Sequence, residues 1–252
     1  MQRRNTRGKL ADQSTNDPMR SVPKKPIEMH KKTSLKTKEG ADLGGRIRQA
    51  TMAHIVSTSE RVFAQAGFEG ASMVDLAAAA ELPKANLHYY FGNKEGLYRA
   101  VLSNILAIWI SATDDIEPEN DPAAALTQYI RAKIAVAKKR PYASKVFANE
   151  IIHGASHLRS FLANDLRNLV SEKSKVVDDW VARGLMDKVD PAHLFFAIWA
   201  MTQTYSDFEA QIRPVLGVEK MSNEIYDRGA EVVIKLILKG CGIAENPRRL
   251  KA

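Results

Sequence analysis

Hydrogen-bonding side chains are concentrated in the short segment from Lys84 to Tyr90. An Ala-rich helical segment ends just before it, at residues 80–83, and Gly92 ends the short helix just after it. A short polar helix joined to a preceding helix by a tight turn is the layout of a helix-turn-helix, whose second helix enters the DNA major groove. The alternative is a solvated surface helix. The side chains predicted to face DNA are Lys84, Ala85, Asn86, His88, Tyr89 and Lys94.

A second candidate site lies after Asp190, in a segment that is apolar or aromatic on nearly every side. Gln203 follows Trp199 by one helical turn, so the two side chains share a face. An indole beside a buried amide suits a flat heterocycle, because the rings stack and the amide pairs with the polar edge. Trp109 is a second aromatic candidate. The alternative for both tryptophans is ordinary core packing.

Catalytic and cofactor-binding patterns are missing from the sequence. Glu150 and His153 form a Glu-x-x-His pair, but a di-metal bundle needs a second such pair and the sequence has none. His157 follows Gly154, which is expected to end the helix between the two histidines. Glycine-rich phosphate loops and the Gly-x-Ser-x-Gly elbow are also missing. The sequence therefore predicts no metal, no cofactor, no catalytic residue and no enzymatic activity.

Apolar residues recur at helical spacing from Arg46 onward, and we find no alternation typical of strands. The pattern predicts an all-α fold of about nine helices, several of them ended by Gly67, Gly184 or Pro214. The predicted helices cover roughly 46–66, 73–80, 84–90, 94–112, 122–139, 141–153, 158–183, 191–213 and 222–239.

Charge is unevenly distributed along the 252 residues, whose net charge is +8. Residues 1–44 hold 11 Lys or Arg and 5 Asp or Glu, without an aromatic residue. This composition predicts a disordered tail, which is either solvated or a basic arm that follows the phosphate backbone. We expect four regions: the tail (1–44), a DNA-binding domain (45–96), a helical ligand-binding and dimerisation domain (97–241) and a C-terminal tail (242–252).

The sequence favours a cytoplasmic protein. Its single cysteine, Cys241, cannot form an internal disulfide, which fits a reducing compartment. No apolar run approaches the roughly 18 residues of a membrane span, and the first residues lack the apolar core of a secretory signal.

The stretch from Phe63 to Val101 resembles the DNA-binding domain of TetR-type one-component repressors. The motif that carries the resemblance is the run from Tyr89 to Glu95, Tyr-Tyr-Phe-Gly-Asn-Lys-Glu. Segments further along the chain, such as Leu106–Trp109 and Ile198–Phe208, are similar to the branch of that family that responds to pyrimidines. The resemblance covers about residues 46–240.

This resemblance implies a two-fold dimer joined by the last two helices of each subunit. It also implies that the connecting helix after the DNA-binding domain covers a pocket for uracil or thymine. Pocket positions that match are Trp109, Trp199 and Gln203, and Glu150 matches as well. In the DNA-binding domain, the positions that match DNA contacts of the family are Lys84, Asn86, Tyr89 and Lys94.

Three residues depart from the family pattern. Glu81 stands at the turn where glycine is usual, so a non-glycine residue is expected to adopt a positive φ at a cost of about 1 kcal/mol. Pro83 replaces the usual serine before the reading helix and loses a side-chain cap. His88 replaces an apolar residue, so the operator is expected to differ from those of relatives. The sequence leaves open a purine, a dihydropyrimidine or an unrelated amide as the effector. The alternative functions are a helical enzyme and a helical protein with no role at DNA.

Overall fold

The computed structural model describes residues 35–243, with side chains from residue 44. The chain divides into residues 1–44 and 45–252, and the packing below belongs to the second unit. The predictions for the tail up to residue 34 and for residues 244–252 lie outside the described part. The first helix begins at Leu35, before the predicted start at 46, and its first residues include the good helix formers Leu, Lys, Glu and Ala.

The described residues form helices and no strand, which confirms the all-α prediction. Ten of the helices are longer than a single turn, against about nine predicted. A π-helical turn, Leu162–Leu166, joins α7 to α8. The helices are α1 (Leu35–Gly70), α2 (Met73–Ala79), α3 (Lys84–Phe91), α4 (Lys94–Ser111), α5 (Pro122–Lys139), α6 (Pro141–Ile152), α7 (Arg159–Phe161), α8 (Arg167–Ala182), α9 (Pro191–Asp207), α10 (Glu209–Leu216) and α11 (Asn223–Gly240).

Side chains of Ser, Asn and Asp cap the starts of five helices. Ser72 Oγ accepts the N–H of Asp75 at 3.2 Å, and Asp75 Oδ2 accepts the N–H of Ser72 at 3.3 Å, which completes a capping box. Asn93 Oδ1 accepts the N–H of Gly96 at 2.8 Å and begins α4. Asp121, Asp190 and Ser222 cap α5, α9 and α11 in the same way.

The turn between α2 and α3 has the expected strain. Glu81 has a φ of 54°, in the left-handed region. The N–H groups of Glu81 and Leu82 donate to the carbonyls of Ala78 and Ala77, each at 3.1 Å, and so close the end of α2. Pro83 precedes α3 without a side-chain cap, as the sequence predicts.

The single helix predicted over 191–213 is wrong. The helix ends at Asp207, because Phe208 leaves helical geometry with φ −110° and ψ 27°. A new helix, α10, follows and contains Pro214, which was expected to end the helix. Proline's fixed φ suits a helix, and the residues beyond it close α10: Gly217 and Val218 donate to the carbonyls of Pro214 and Arg213.

Helix α6 lies between two apolar clusters. The first cluster holds α1–α4 together around residues such as Phe63 and Leu76, and it extends to Val146 on α6. The second fills the bundle of α5, α8, α9 and α11 around Trp180 and Ile198. Helix α6 contacts α4 on one side and α5 and α9 on the other, so it connects the two clusters.

Within residues 35–243, no helix is long and apolar enough to cross a membrane. The same part of the chain holds no group of three or more His, Cys, Asp or Glu side chains that could bind a metal ion.

Candidate functional site

Helix α3 turns its polar side chains outward. Leu87 is completely buried and Phe91 packs against the first apolar cluster, so one face of the helix is fixed inside. Lys84, Ala85 and His88 are exposed on the other side, and Asn86 is half-buried. Tyr89 is 70% exposed. These outward side chains form a surface that a DNA groove can reach.

Arg48 extends this surface, and sequence reasoning did not single it out. Its guanidinium carbon lies 5.6 Å from the ring centre of Tyr89 and 5.8 Å from that of Tyr90. The two tyrosine rings meet edge to face, 5.0 Å apart. Because Arg48 lies on α1, about 40 positions before Tyr89 in the sequence, only the tertiary fold reveals this cation–π contact. A positive charge therefore lies beside the tyrosines that the sequence places at the DNA.

Two of the predicted DNA-contacting residues also make contacts inside the protein. The carbonyl of Gly92 accepts a hydrogen bond from His88 Nδ1 at 2.8 Å, so Nδ1 carries a proton and Nε2 is not used by this contact. Lys94 Nζ donates to the carbonyl of Glu69 at 3.2 Å and lies 4.5 Å from the ring centre of Phe68. Lys94 therefore connects the start of α4 to the end of α1.

Trp109 lies beside a buried lysine. Lys133 on α5 is 5% exposed, and its Nζ is 4.2 Å from the centre of the Trp109 ring. The indole of Trp109 also contacts the ring of Phe147 on α6, with ring centres 4.4 Å apart. The site therefore combines an aromatic wall with a cation in an apolar environment, which strengthens electrostatic interactions.

Trp199 and Gln203 come from the facing helix, α9. Trp199 Nε1 donates to the hydroxyl of Tyr129 at 2.6 Å. Tyr129 and Lys133 are one turn apart on α5, as Trp199, Gln203 and Asp207 are on α9. The Tyr129–Trp199 hydrogen bond therefore aligns two facing rows of side chains.

Charges in this site are only partly neutralised. Burial lowers the pKa of Lys133 to about 8, although the negative charge of Asp207 works in the opposite direction. Burial raises the pKa of Asp207, against a 2.5 Å hydrogen bond from Ser144 Oγ and the charges of Lys133 and Lys145. Burial also raises the pKa of Tyr129 to about 12, so its hydroxyl stays protonated at neutral pH.

Glu150 forms a separate network at the other end of α6. Its carboxylate accepts from the Tyr98 hydroxyl at 2.9 Å, from the His157 N–H at 2.7 Å and from His157 Nδ1 at 3.2 Å. The His157 ring lies 4.6 Å from the ring of Phe68, at the end of α1. Burial raises the pKa of Tyr98, and the Glu150 charge adds to this effect. The structure thus groups Glu150 with residues of α1 and α4 rather than with Trp199 and Gln203.

A large groove lies elsewhere, along α9, α10 and α11. Its volume is about 750 Å³, and its lining is mostly apolar, with Val215, Leu216 and Val232 among the residues. Gly229 allows the Tyr205 ring to lie against α11, since a Cβ there would come within 2.4 Å of that ring. The groove is open and does not include the residues around Lys133, so we treat it as a surface for association.

Two protein families match consecutive parts of the chain, one up to residue 101 and the other from residue 102. Residues 55–101 match "Bacterial regulatory proteins, tetR family", and residues 102–244 match "YcdC-like protein, C-terminal region". The first match includes α3 and the second includes the site around Lys133.

Among curated relatives, the chain is 39% identical to the HTH-type transcriptional regulator RutR of Escherichia coli K12 over 186 residues, which is 74% of this chain and 88% of RutR. It is 24% identical to the HTH-type transcriptional repressor NicS of Pseudomonas putida, over 78% of this chain and 96% of NicS.

Solved structures with the same fold include a transcriptional regulator, SCO4942, from Streptomyces coelicolor, with a TM-score of 0.61 and 20% identity over 77% of this chain and 99% of that one. They also include AibR in complex with isovaleryl coenzyme A and operator DNA, with a TM-score of 0.57 and 20% identity over 74% of this chain and 97% of that one.

Replacing Lys133 with Met should stabilise the protein at pH 7. A fall in the pKa of Lys133 from 10.5 to about 8 corresponds to a free-energy cost of roughly 3 kcal/mol for keeping its ammonium group charged in the folded protein. Part of the gain is offset because Asp207 loses the attraction of Lys133, so we expect a net gain of about 1–2 kcal/mol. Thermal unfolding measures it, with Lys139→Met, an exposed lysine on the same helix, as the control.

The stability difference between Lys133→Met and wild type should also depend on pH. Between about pH 8 and 10.5 the unfolded wild-type chain binds more protons at this lysine than the folded chain. Wild-type stability therefore gains from this group as pH rises through that window, and the advantage of the variant shrinks. A variant that is less stable than wild type at pH 7, with a constant difference at higher pH, would contradict the assignment.

Proposed function

The chain belongs to the TetR family of bacterial transcriptional regulators, and on that premise we propose that it represses transcription in the cytoplasm as a homodimer and releases its operator when a pyrimidine binds. The observation that carries the proposal is the pairing of an outward polar α3 with an aromatic site in which Trp109 and Trp199 are half-buried beside the buried Tyr129 and Lys133. Uracil and thymine are the proposed effectors. The resemblance to the pyrimidine-responsive branch supports them, as does the flat, polar-edged shape that suits these residues.

In the proposed complex, two copies of α3 enter successive major grooves about 34–36 Å apart on a near-palindromic operator. Lys84, Asn86 and His88 read base edges in this proposal, because Lys84 and His88 are exposed and Asn86 is half-buried on the helix that faces outward. Tyr89 and Lys94 contact phosphates, and Arg48 joins them through its position beside Tyr89. We propose the basic tail, residues 1–44, as an additional phosphate contact.

Alanine substitutions at Asn86 on α3 and at Arg48 on α1 should separate base reading from phosphate binding. Asn86→Ala should change the base preference at one operator position, with a loss of about 1–3 kcal/mol for the preferred base. Arg48→Ala should weaken binding to all sequences and lower the salt slope by about 1. Fluorescence anisotropy with an operator library across salt concentrations measures both. Lys139→Ala, on an exposed face of α5, is the control, and equal effects of all three variants would contradict the proposed reading surface.

The proposed dimer interface uses α9, α10 and α11. Val232 and Leu236, one turn apart on α11, are 55% and 57% exposed, and Val215 on α10 is 77% exposed. Exposed apolar side chains grouped in this way mark association surfaces. A two-fold axis beside α11 would cover the row with its own copy and fix the distance between the two α3 helices.

Leu236→Glu should shift the protein from two chains toward one. A carboxylate at the centre of an apolar two-fold contact meets its own copy, which adds charge repulsion to the cost of desolvation. Sedimentation equilibrium measures the mass, and operator affinity should fall with it. Leu185→Glu makes the same change at a leucine 43% exposed near the end of α8 and should leave the mass at two chains. A monomeric wild type would refute the proposed assembly.

The proposed effector binds between α4, α5 and α9. Its ring stacks against Trp109 or Trp199, and the Gln203 amide, which can donate and accept, pairs with its edge. The ligand shifts the protein toward a form whose α3 helices no longer match the groove spacing. Its effect on operator affinity is limited by its preference between the two forms.

Uracil should raise the melting temperature of wild type and release operator DNA. Gln203→Ala should lose most of both effects, because the amide pairs with the polar edge of the ring. Gln128→Ala, an exposed glutamine on α5, is the matched control. Thermal shift and operator anisotropy with uracil, thymine and adenine measure the response. If no nucleobase changes either quantity, the effector belongs to another chemical class.

We propose that α6 carries the signal from this site to the DNA-binding end. Phe147 contacts Trp109, and Glu150 follows Phe147 by one turn on the same helix. Glu150 holds Tyr98 and His157, and His157 packs on Phe68 next to Lys94. Asn149 also donates to the carbonyl of Ala64 at 3.2 Å. A small shift of α6 would therefore move the end of α1 together with the start of α4.

His157→Leu should weaken the coupling between uracil and operator while leaving each separate affinity near that of wild type. Leucine keeps apolar packing against Phe68 but cannot donate a ring hydrogen bond to Glu150. We expect the uracil-induced loss of operator affinity to shrink by a factor of about 3 or more. His153→Leu is the control, since its ring bonds only the carbonyl of Asn149 on the same helix. An unchanged uracil effect in His157→Leu would exclude this route.

A further inference from the structure

Lys133 is the one buried cation among the residues whose side chains the structure describes. Its Nζ lies 4.2 Å from the centre of the Trp109 ring, and no described residue accepts a hydrogen bond from it. A lysine side chain this buried is normally paired with an acceptor, because burying it without one is costly. The position on α5 therefore points to a role toward a ligand rather than to packing.

Tyr129 supplies a second donor on the same face of α5. Its hydroxyl oxygen accepts from Trp199 Nε1, so its own O–H is directed elsewhere. Within the described residues that O–H has no acceptor, and the side chain is 2% exposed. One helical turn separates Tyr129 from Lys133, which places the two donors about 5–6 Å apart at their Cβ atoms.

The nearest carboxylate does not occupy these donors. Asp207 accepts from Ser144 Oγ and is further attracted by Lys145 on α6, which also pairs with Glu209 at 3.0 Å. The indoles of Trp109 and Trp199 offer ring faces and no acceptor atom. The site is therefore rich in donors and poor in acceptors on its α5 side.

We infer that Lys133 and Tyr129 together bind a carbonyl or anionic oxygen of the effector, so that the site selects an oxo-substituted ring over the same ring with an amino group at that position. The inference rests on the proposed function, since it assigns an edge of the ligand that stacks on the tryptophans. The ring oxygen accepts from the ammonium group and from the tyrosine hydroxyl at once. Gln203, from α9, pairs with a different part of the edge.

An amino group in place of that oxygen would reverse the hydrogen-bond pattern. Its N–H donors would face the ammonium and the Tyr129 O–H, and both protein donors would stay unused in a buried site. Sites built around hydrogen bonds to one group reject analogues without it far more strongly than apolar pockets do. Uracil and cytosine are alike in size and shape, but cytosine has an amino group in place of the C4 oxygen and a nitrogen acceptor in place of the N3–H donor, while both keep the C2 oxygen. They therefore form a matched pair of probes for a contact to the C4 oxygen.

Titration calorimetry with uracil and cytosine tests the inference on the full-length protein. Wild type should bind uracil more tightly than cytosine by about tenfold or more. Lys133→Met should weaken uracil about 10- to 100-fold and remove most of the preference between the two bases. Tyr129→Phe should weaken uracil by a smaller factor, and the control Lys139→Met should match wild type.

Proton uptake gives a second readout that lost packing would not produce. The charged groups around Lys133 are Asp207 from α9 and, through Asp207, Lys145 from α6, while α4 contributes the non-titrating Trp109 and α5 the Tyr129 hydroxyl. A bound oxygen favours the charged form of Lys133, so uracil binding should take up protons at and above pH 8. Calorimetry in buffers of different ionisation enthalpy measures the uptake, which Asp207→Asn should keep and Lys133→Met should lose.

The outcomes separate the two proposals. If wild type binds uracil and Lys133→Met binds it equally well, the oxygen contact is refuted. If cytosine binds as tightly as uracil, the selection for an oxo-substituted ring is refuted. The pyrimidine-responsive regulator stands in both cases. If wild type binds neither base, the proposed effector class fails and the inference fails with it. A weakened, non-selective Lys133→Met without proton uptake supports both.

Discussion

The burial of Leu87 is the contact on which the DNA-binding surface depends. Helix α3 has eight residues and no side-chain cap at its start, so it is too short to remain helical in water on its own. Leu87 is fully buried among α1, α2 and α4 residues, and that contact both forms the helix and fixes its rotation. The strained turn at Glu81 and the bond from His54 Nε2 to the carbonyl of Ala80, at 3.0 Å, set its angle. The polar side of α3 therefore faces outward because Leu87, its single buried side chain, must face the apolar cluster.

The same dependence on packing bears on the proposed coupling between the aromatic site and α3. The interiors of proteins are close-packed, and such interiors transmit a displacement rather than absorb it. Helix α6 contacts both apolar clusters, and α1 is held by Asn149 on α6 and by the ion pair between Glu60 and Arg140, the residue before α6. Glu60 is 5% exposed, and burial raises its pKa while the guanidinium of Arg140 opposes the shift. A buried ion pair of this kind favours one arrangement of α1 against α6, because any other leaves a charge unpaired.

Local sequence signals predict where most helices begin. The exceptions depend on contacts between residues that are far apart in the sequence. The caps at Ser72, Asn93 and Asp121 act within three residues, and all three hold in the structure. The break at Phe208 does not follow from local sequence: the preceding residue, Asp207, is held by Ser144, 63 positions away. Arg48 and Lys133 were missed for the same reason. A lysine one turn after a tyrosine reads as an ordinary surface pair, and only the packing of α4 and α9 shows that it is buried.

Lys133 lies between the helices that carry Trp109 and Trp199. The free-energy cost of desolvating its ammonium group affects the stability of the fold and, in the proposed complex, the specificity for the ligand. In the absence of an acceptor, the desolvated ammonium of Lys133 destabilises the fold, and an apolar side chain of similar volume would pack better. Proteins keep such groups where function needs them. In the proposed complex, a ligand oxygen offsets part of that desolvation energy by accepting from the ammonium, and a ligand without the oxygen does not. The unliganded protein is therefore less stable for the same physical reason that the proposed site would prefer one ring substituent over another.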